Sequence, residues 1–289
     1  MKKLDWIEAL REAITYIEAH LMEECTAEEI SRQVNMSPFY FQKGFKMITG
    51  YTIGEYVRNR RLYLAALDVI KGEDKIIDLA YKYGYDTPES FTKAFRRFHG
   101  LAPMQLKNVP HKLSVFLPLQ ISLSIKGGDQ IDYRIEKMAA FKVIGLGRKF
   151  NYESAFAQIP GFWQECLQKH MSRWCQEVPG CNMGTYGVCL EPNNNEPAFR
   201  YLVAGLYDGS KIPEDLEVAE IPALTWAKFR CIGPIPETLQ QMNTRIYSEW
   251  LPGNTQYEIA AGYNIEMYSK ADLRSLDYVS EIWIPVREK

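Results

Sequence analysis

A 14-residue segment occurs twice in this chain, 50 residues apart, and it narrows the fold more than any other feature. SPFYFQKGFKMITG (residues 37–50) aligns without gaps on TPESFTKAFRRFHG (87–100). Both copies begin with a hydroxyl residue and proline, Ser37-Pro38 and Thr87-Pro88, and both close on glycine, Gly50 and Gly100. A hydroxyl side chain caps a helix N-terminus, proline suits the first turn, and glycine tolerates the left-handed residue after the last turn. Each copy therefore encodes a helix of about three turns. The phenylalanines recur four apart, Phe41/Phe45 and Phe91/Phe95, so they share one face and point into a core. A shorter helical stretch precedes each copy, AEEISRQVN in one case and KIIDLAYKYG in the other. Short helix, tight turn and second helix describe a helix-turn-helix, present here in tandem.

The polar positions of the repeat are basic. Gln42, Lys43 and Lys46 remain on the outer faces of the first copy, and Thr92, Lys93, Arg96 and Arg97 on those of the second. The net charge of −2 conceals an uneven distribution: −4 over residues 1–42, +5 over 43–107 and −3 over 108–289. A basic segment in an acidic chain is a candidate polyanion-binding face. A helix from Thr52 to Ile70 would join the two units and span roughly 28 Å at ~1.5 Å per residue. Successive major-groove turns lie about 34 Å apart. One chain could then fill two grooves as a monomer, where a dimer is usual.

After residue 107 the texture changes. NVPHKLSVFLPLQ has two prolines and no clear period, and reads as a linker. Strands are expected at Gln130–Ile135, Phe141–Arg148, Gly184–Glu191, Phe199–Leu206, Ala223–Cys231, Gln256–Ala260, Tyr263–Ser269 and Val279–Val286, with helices over Ser154–Trp174 and Pro236–Glu249. KGGD at 126–129 reads as a turn. The fold class is two domains. An all-α tandem helix-turn-helix occupies residues 1–107, residues 108–127 link, and an α+β domain occupies 128–289. In that domain strand-helix-strand-strand units, duplicated, would pack two helices on an antiparallel sheet.

Several function classes lack support. The six cysteines (Cys25, Cys166, Cys175, Cys181, Cys189, Cys231) form no C-x-x-C pair, and the four histidines form no metal-binding pattern. Neither a phosphate-binding loop nor a dinucleotide fingerprint occurs, so no metal, cofactor or catalytic residue is assigned. No apolar run reaches the roughly 18–20 residues of a membrane span, and the N-terminus reads as an amphipathic helix. A cytoplasmic protein without membrane contact is expected.

In GYNIEMYS (262–269), alternation puts Glu266 on one strand face with Asn264 and Tyr268. Glu281 shares a face with Trp283 in the same way. A carboxylate beside aromatic rings on a concave face would favour an aromatic cation.

Residues 20–107 resemble the AraC/XylS family of transcription regulators, chiefly through KIIDLAYKYGYDTPESFTKAFRRFHGLAPMQLK. The domain order resembles the Rob-like branch, in which a GyrI-like effector-binding domain follows. Residues 128–289 are similar to that domain in IDYRIEKMAAFKVIGLG, GYNIEMYS and EIWIPV. The resemblance implies that Phe39, Gln42 and Lys43 face bases from the first unit, and Glu89, Ser90 and Lys93 from the second. Gln42 suits adenine and lysine suits guanine. Lys46, Arg96 and Arg97 suit phosphates. Glu89 would accept from cytosine, or only stabilise its own helix terminus. The resemblance also implies an effector pocket with a glutamate floor, Glu266 first and Glu281 second. Trp163, Tyr186, Tyr201 and Trp226 are candidate walls. The expected function is a sequence-specific regulator binding double-stranded DNA and a small-molecule effector, with RNA polymerase as a further partner. The alternatives are a GyrI-like small-molecule hydrolase, with Glu266 and a tyrosine as base and acid, and a protein that sequesters compounds without acting on transcription.

Overall fold

The computed structural model describes residues 6–23, 26–121, 131–152, 154–190 and 198–289. The helices of the N-terminal half are α1 (Trp6–Ala19), α2 (Ala27–Gln33), α3 (Pro38–Thr49), α4 (Ile53–Lys71), α5 (Ile76–Lys82), α6 (Pro88–His99) and α7 (Pro103–Asn108). The C-terminal half runs β1 (Tyr133–Met138), β2 (Phe141–Asn151), α8 (Ala155–Glu165), α9 (Met171–Glu177), β3 (Tyr186–Cys189), β4 (Ala198–Leu206), β5 (Glu217–Ile221), β6 (Leu224–Ile232), α10 (Glu237–Arg245), β7 (Tyr257–Ile259), β8 (Asn264–Tyr268) and β9 (Val279–Glu288). The turn expected at 126–129 lies outside the described residues, as do residues 130 and 191 at the ends of two expected strands.

The chain packs as two compact units, residues 1–35 with 49–124 and residues 36–48 with 125–289. These limits depart from the expected domains in two places. Residues 36–48, most of α3, belong to the second unit. The described part of the expected linker belongs to the first. There the Phe116 carbonyl accepts from Arg60 Nη1 at 2.6 Å and the Phe116 ring meets Tyr51 edge-on. These contacts give the proline-rich segment a fixed course.

In the first unit the helix starts follow the capping residues. Thr26 and Glu29 close one capping box ahead of α2, and Thr52 and Glu55 close another ahead of α4. Thr87 Oγ1 accepts from the Ser90 amide at 3.1 Å, and Pro88 opens α6. Gly100 ends α6 at φ +78°, a conformation that costs glycine little. Phe91 and Phe95 are fully buried with Leu62, Ala66, Leu79 and Leu106. Each ring contributes about 1.5–3 kcal/mol by leaving water. His99 completes this core with Nε2 3.1 Å from the Leu62 carbonyl, and burial pushes its pKa down, so it stays neutral at pH 7. Glu18 joins α1 to α4: it accepts two bonds from Arg60, both 2.8 Å, and one from the Tyr56 hydroxyl.

In the second unit the strands form one antiparallel sheet in the order β1-β6-β9-β8-β3-β4-β2-β5, with β7 also paired to β9. Helices from both halves cover one face. Phe162 of α8 packs on Phe150 of β2, and Trp250, beyond α10, packs edge-on against Phe229 of β6. A wide turn over Cys166–His170 joins α8 to α9, and a similar one over Ile246–Trp250 follows α10. Strand β5 escaped the sequence reading. Five residues at the sheet edge, two of them glutamates, look polar because an edge strand is protected that way.

Candidate functional site

The second helix of the tandem repeat, α6, buries Phe91, Phe95 and His99 and turns the rest outward. Glu89, Ser90, Lys93, Arg96 and Arg97 are exposed, and Thr92 is half-buried. The Ser90 hydroxyl donates to the Thr87 carbonyl at 2.8 Å, so part of its capacity is used within its own helix turn. Glu89 stands in the first turn, where its charge complements the helix dipole. Lys93, Arg96 and Arg97 form the cationic remainder of an open face.

The equivalent helix α3 is placed differently. Phe39 is only 3% exposed, its ring edge-on to Phe199 at 5.2 Å and near Tyr152 at 6.2 Å. Lys43 Nζ donates to Asn264 Oδ1 at 2.9 Å, and the Tyr40 hydroxyl donates to the Tyr263 carbonyl. Gln42, Lys43 and Lys46 are half-buried, and the Gln42 amide nitrogen is buried without a hydrogen-bond partner among the described residues. The expectation that Phe39, Gln42 and Lys43 face bases is therefore corrected for this state. A phenylalanine ring gains more from an aromatic niche than from water, and it takes Gln42 and Lys43 with it.

The eight residues expected to line an effector pocket divide between the two faces of the sheet. Residues paired directly across strands share a face, and Glu266 pairs with Ile282 while Met267 pairs with Glu281. The two glutamates thus point in opposite directions. Glu281, Trp283, Tyr186 and Trp226 occupy the face away from the helices. Glu281 is 6% exposed and fully engaged: Arg134 donates twice, at 2.7 and 3.1 Å, and Trp283 Nε1 once, at 2.7 Å. Lys228 Nζ lies 3.9 Å from the Trp283 ring centroid and pairs with Glu136. Tyr186 and Trp226 pack on that same ring, Trp226 wholly buried. The charges of this cluster are matched internally, Glu281 by Arg134 and Glu136 by Lys228. Glu281, Trp283 and Trp226 are thus buried in the sheet, with Tyr186 half-buried beside them, on the face opposite Glu266.

Glu266, Tyr268, Tyr201 and Trp163 do come together, on the helix-covered face. Trp163 Nε1 donates to the Tyr201 hydroxyl at 2.7 Å. The Tyr268 hydroxyl donates to Glu266 Oε2 at 2.8 Å, and the Tyr201 hydroxyl approaches the same oxygen at 3.4 Å. The Trp163 and Tyr268 rings meet edge to face at 5.0 Å. Burial, then the Glu266 charge, push both tyrosine hydroxyls well above their usual pKa, so both remain neutral donors. Among the described residues no lysine or arginine pairs with Glu266. Its charge is met by neutral donors and aromatic rings, surroundings that would favour a cation.

Gly187 makes the cluster possible, and the sequence reading did not single it out. It lies opposite Glu266 on β3, and a Cβ there would collide with the Tyr201 hydroxyl and stand 3.3 Å from the Trp163 ring. A glycine inside a strand is the general signal for such a close approach. Asn264 and Cys189 pair across the same two strands, next along the same face.

The buried thiols are unsuited to nucleophilic work, because burial pushes Cys166 up to about 11 and Cys231 up to about 12. Among the described residues no three His, Cys, Asp or Glu side chains gather as a metal site, and no helix is long and apolar enough to cross a membrane.

Comparisons with known proteins match both units. Residues 134–286 match the integron-associated effector binding proteins, and residues 30–108 match a helix-turn-helix domain. The transcriptional regulator YbfP of Bacillus subtilis is 33% identical over 95 residues, 33% of this chain and 32% of YbfP. The transcriptional activator AarP of Providencia stuartii is 31% identical over 94 residues, 32% of this chain and 70% of AarP. The chain thus spans about a third of the length of YbfP and over two thirds of AarP. The solved structure of SAV2435 bound to tetraphenylphosphonium covers 54% of this chain and 94% of that one, with a TM-score of 0.48 and 23% identity. With more than half of its length matched, the chain belongs to the integron-associated effector binding protein family, joined here to an AraC-type helix-turn-helix domain.

Proposed function

We propose that the chain is a transcription regulator that binds double-stranded DNA through its helix-turn-helix domain and an aromatic cation through its effector-binding domain. One observation carries the effector class. Glu266 sits at the floor of the helix-covered face, held by two neutral tyrosine hydroxyls, with no cationic side chain beside it among the described residues. A cation placed against the Trp163 and Tyr268 rings beside Glu266 would gain both Coulomb and cation–π attraction. The exposed basic face of α6 supports the DNA reading. The tandem arrangement supports binding as a monomer, and the likeness to an activator supports contact with RNA polymerase in the cytoplasm.

The experiment is calorimetry with tetraphenylphosphonium and with a neutral aromatic of similar size, on the wild type and Glu266→Gln. Removing a charge that meets a desolvated cation costs about 1.5–3 kcal/mol, so affinity for the cation should fall roughly 10- to 100-fold. The neutral compound should bind weakly to both proteins. Unchanged cation affinity in Glu266→Gln would overturn the assignment. Selection from a random duplex library should enrich one sequence, and failure to enrich any would remove the DNA half.

A further inference from the structure

The two copies of the repeat have similar sequences and different surroundings. On α6 the residues that would read bases face water. Within Pro38–Thr49, by contrast, only Ile48 is exposed. A helix that enters a major groove needs one open face, and α3 has none in this state.

The effector-binding sheet covers that face. Lys43 is held by Asn264, which precedes Glu266 by two residues and shares its side of β8, about 7 Å along the strand. Phe39 rests on Phe199, which precedes Tyr201 by two residues on the same side of β4. Cys189, opposite Asn264, lies within electrostatic reach of both Lys43 and Glu266. So α3 packs on the same face of the sheet as Glu266 and Tyr201, two residues along the strand from each. It also brings matching chemistry. The Lys43 ammonium stands 6.0 Å from the Phe39 ring centroid, a cation beside an aromatic ring. The fit is imperfect, because it buries the Gln42 amide nitrogen without a partner, at a cost of about 1–3 kcal/mol. An occupant held this way can be displaced.

We infer that α3 is an internal occupant of the effector face: Phe39 and Lys43 stand in for an aromatic cation, and effector entry expels α3 and frees it to read DNA. The inference rests on the reading of the Glu266 site as the effector site. Its sign follows from linkage. Effector binding and DNA reading by α3 both require α3 to be off that face, so each strengthens the other by the same factor.

Hydrogen–deuterium exchange on the full chain tests it. Saturating tetraphenylphosphonium should speed exchange of the α3 amides at least ten-fold and leave those of α6 unchanged. Without any ligand, Asn264→Ala should loosen α3 in the same way and tighten binding to the selected duplex about five-fold. Lys43→Met, which leaves the sheet intact, should also speed α3 exchange and guards against misfolding of the first variant. If calorimetry detects the cation but α3 protection is unchanged, the competition fails while the effector site stands. If the cation does not bind, the effector assignment fails, and the ligand-free variants still decide the docking. Wild-type α3 protection in both variants, with no gain in DNA affinity for Asn264→Ala, would overturn it.

Discussion

Gly187→Ala should destabilise the second unit although it adds only one methyl group. In an unobstructed strand, alanine in place of glycine gains roughly 0.5–1 kcal/mol through the unfolded chain. Here the new Cβ would overlap the Tyr201 hydroxyl, stand 3.0 Å from Tyr201 Cζ and 3.3 Å from the Trp163 ring. Overpacking of this kind costs about 1–3 kcal/mol. Pushing the hydroxyl aside also weakens its bonds with Trp163 and Glu266, at about 1 kcal/mol each. The net loss should be about 2–4 kcal/mol, a fall of roughly 1–2 M in the urea midpoint for a unit of this size. Tryptophan fluorescence reports it directly, since Trp163 is part of the collision. The cause is separable by a second substitution. Tyr201→Phe alone should cost about 1–3 kcal/mol, because it strands the Trp163 N–H. In the Gly187→Ala background it should cost little or restore stability, a coupling of about 1–2 kcal/mol. A Gly187→Ala protein as stable as wild type, or strict additivity of the pair, would refute the packing account of the cluster.

Two further outcomes concern the first unit. Burial alone would raise Asp68, but hydrogen bonds from Lys82, Tyr83 and Lys71 outweigh it and hold the carboxyl at about 2. This carboxyl therefore contributes stability at neutral pH that fades as pH falls from the ordinary carboxylate range toward about 2. Asp68→Asn should lose about 1 kcal/mol at pH 7, allowing for solvent screening, and almost nothing near pH 2, in urea midpoints across that range. Arg96→Ala should weaken DNA binding and reduce the slope of log affinity against log salt by about 0.9, one phosphate contact, in a fluorescence anisotropy titration.

The tandem helix-turn-helix was legible because its signals are local. Caps, prolines and phenylalanines four apart act within a few residues of themselves. The face of Glu266 was legible for the same reason, since strand alternation needs no partner. The opposition of Glu266 and Glu281 was not, because it depends on which residue of β9 pairs with which residue of β8. A shift of one position would have put both on one side. The burial of Phe39 was illegible for a related reason. Phe199 and Tyr152 lie more than a hundred residues away, and nothing in SPFYFQKGF announces that an aromatic niche awaits its first ring. The helix repeat predicts two alike faces, and tertiary packing makes them unlike.

Anisotropy of the selected, labelled duplex, titrated with protein in the absence and presence of saturating tetraphenylphosphonium, tests the link between effector and DNA most directly. The account predicts tighter DNA binding by about five-fold or more in the wild type and no change in Glu266→Gln. Equal DNA affinity with and without the cation, when calorimetry on the same protein shows the cation bound, would contradict it.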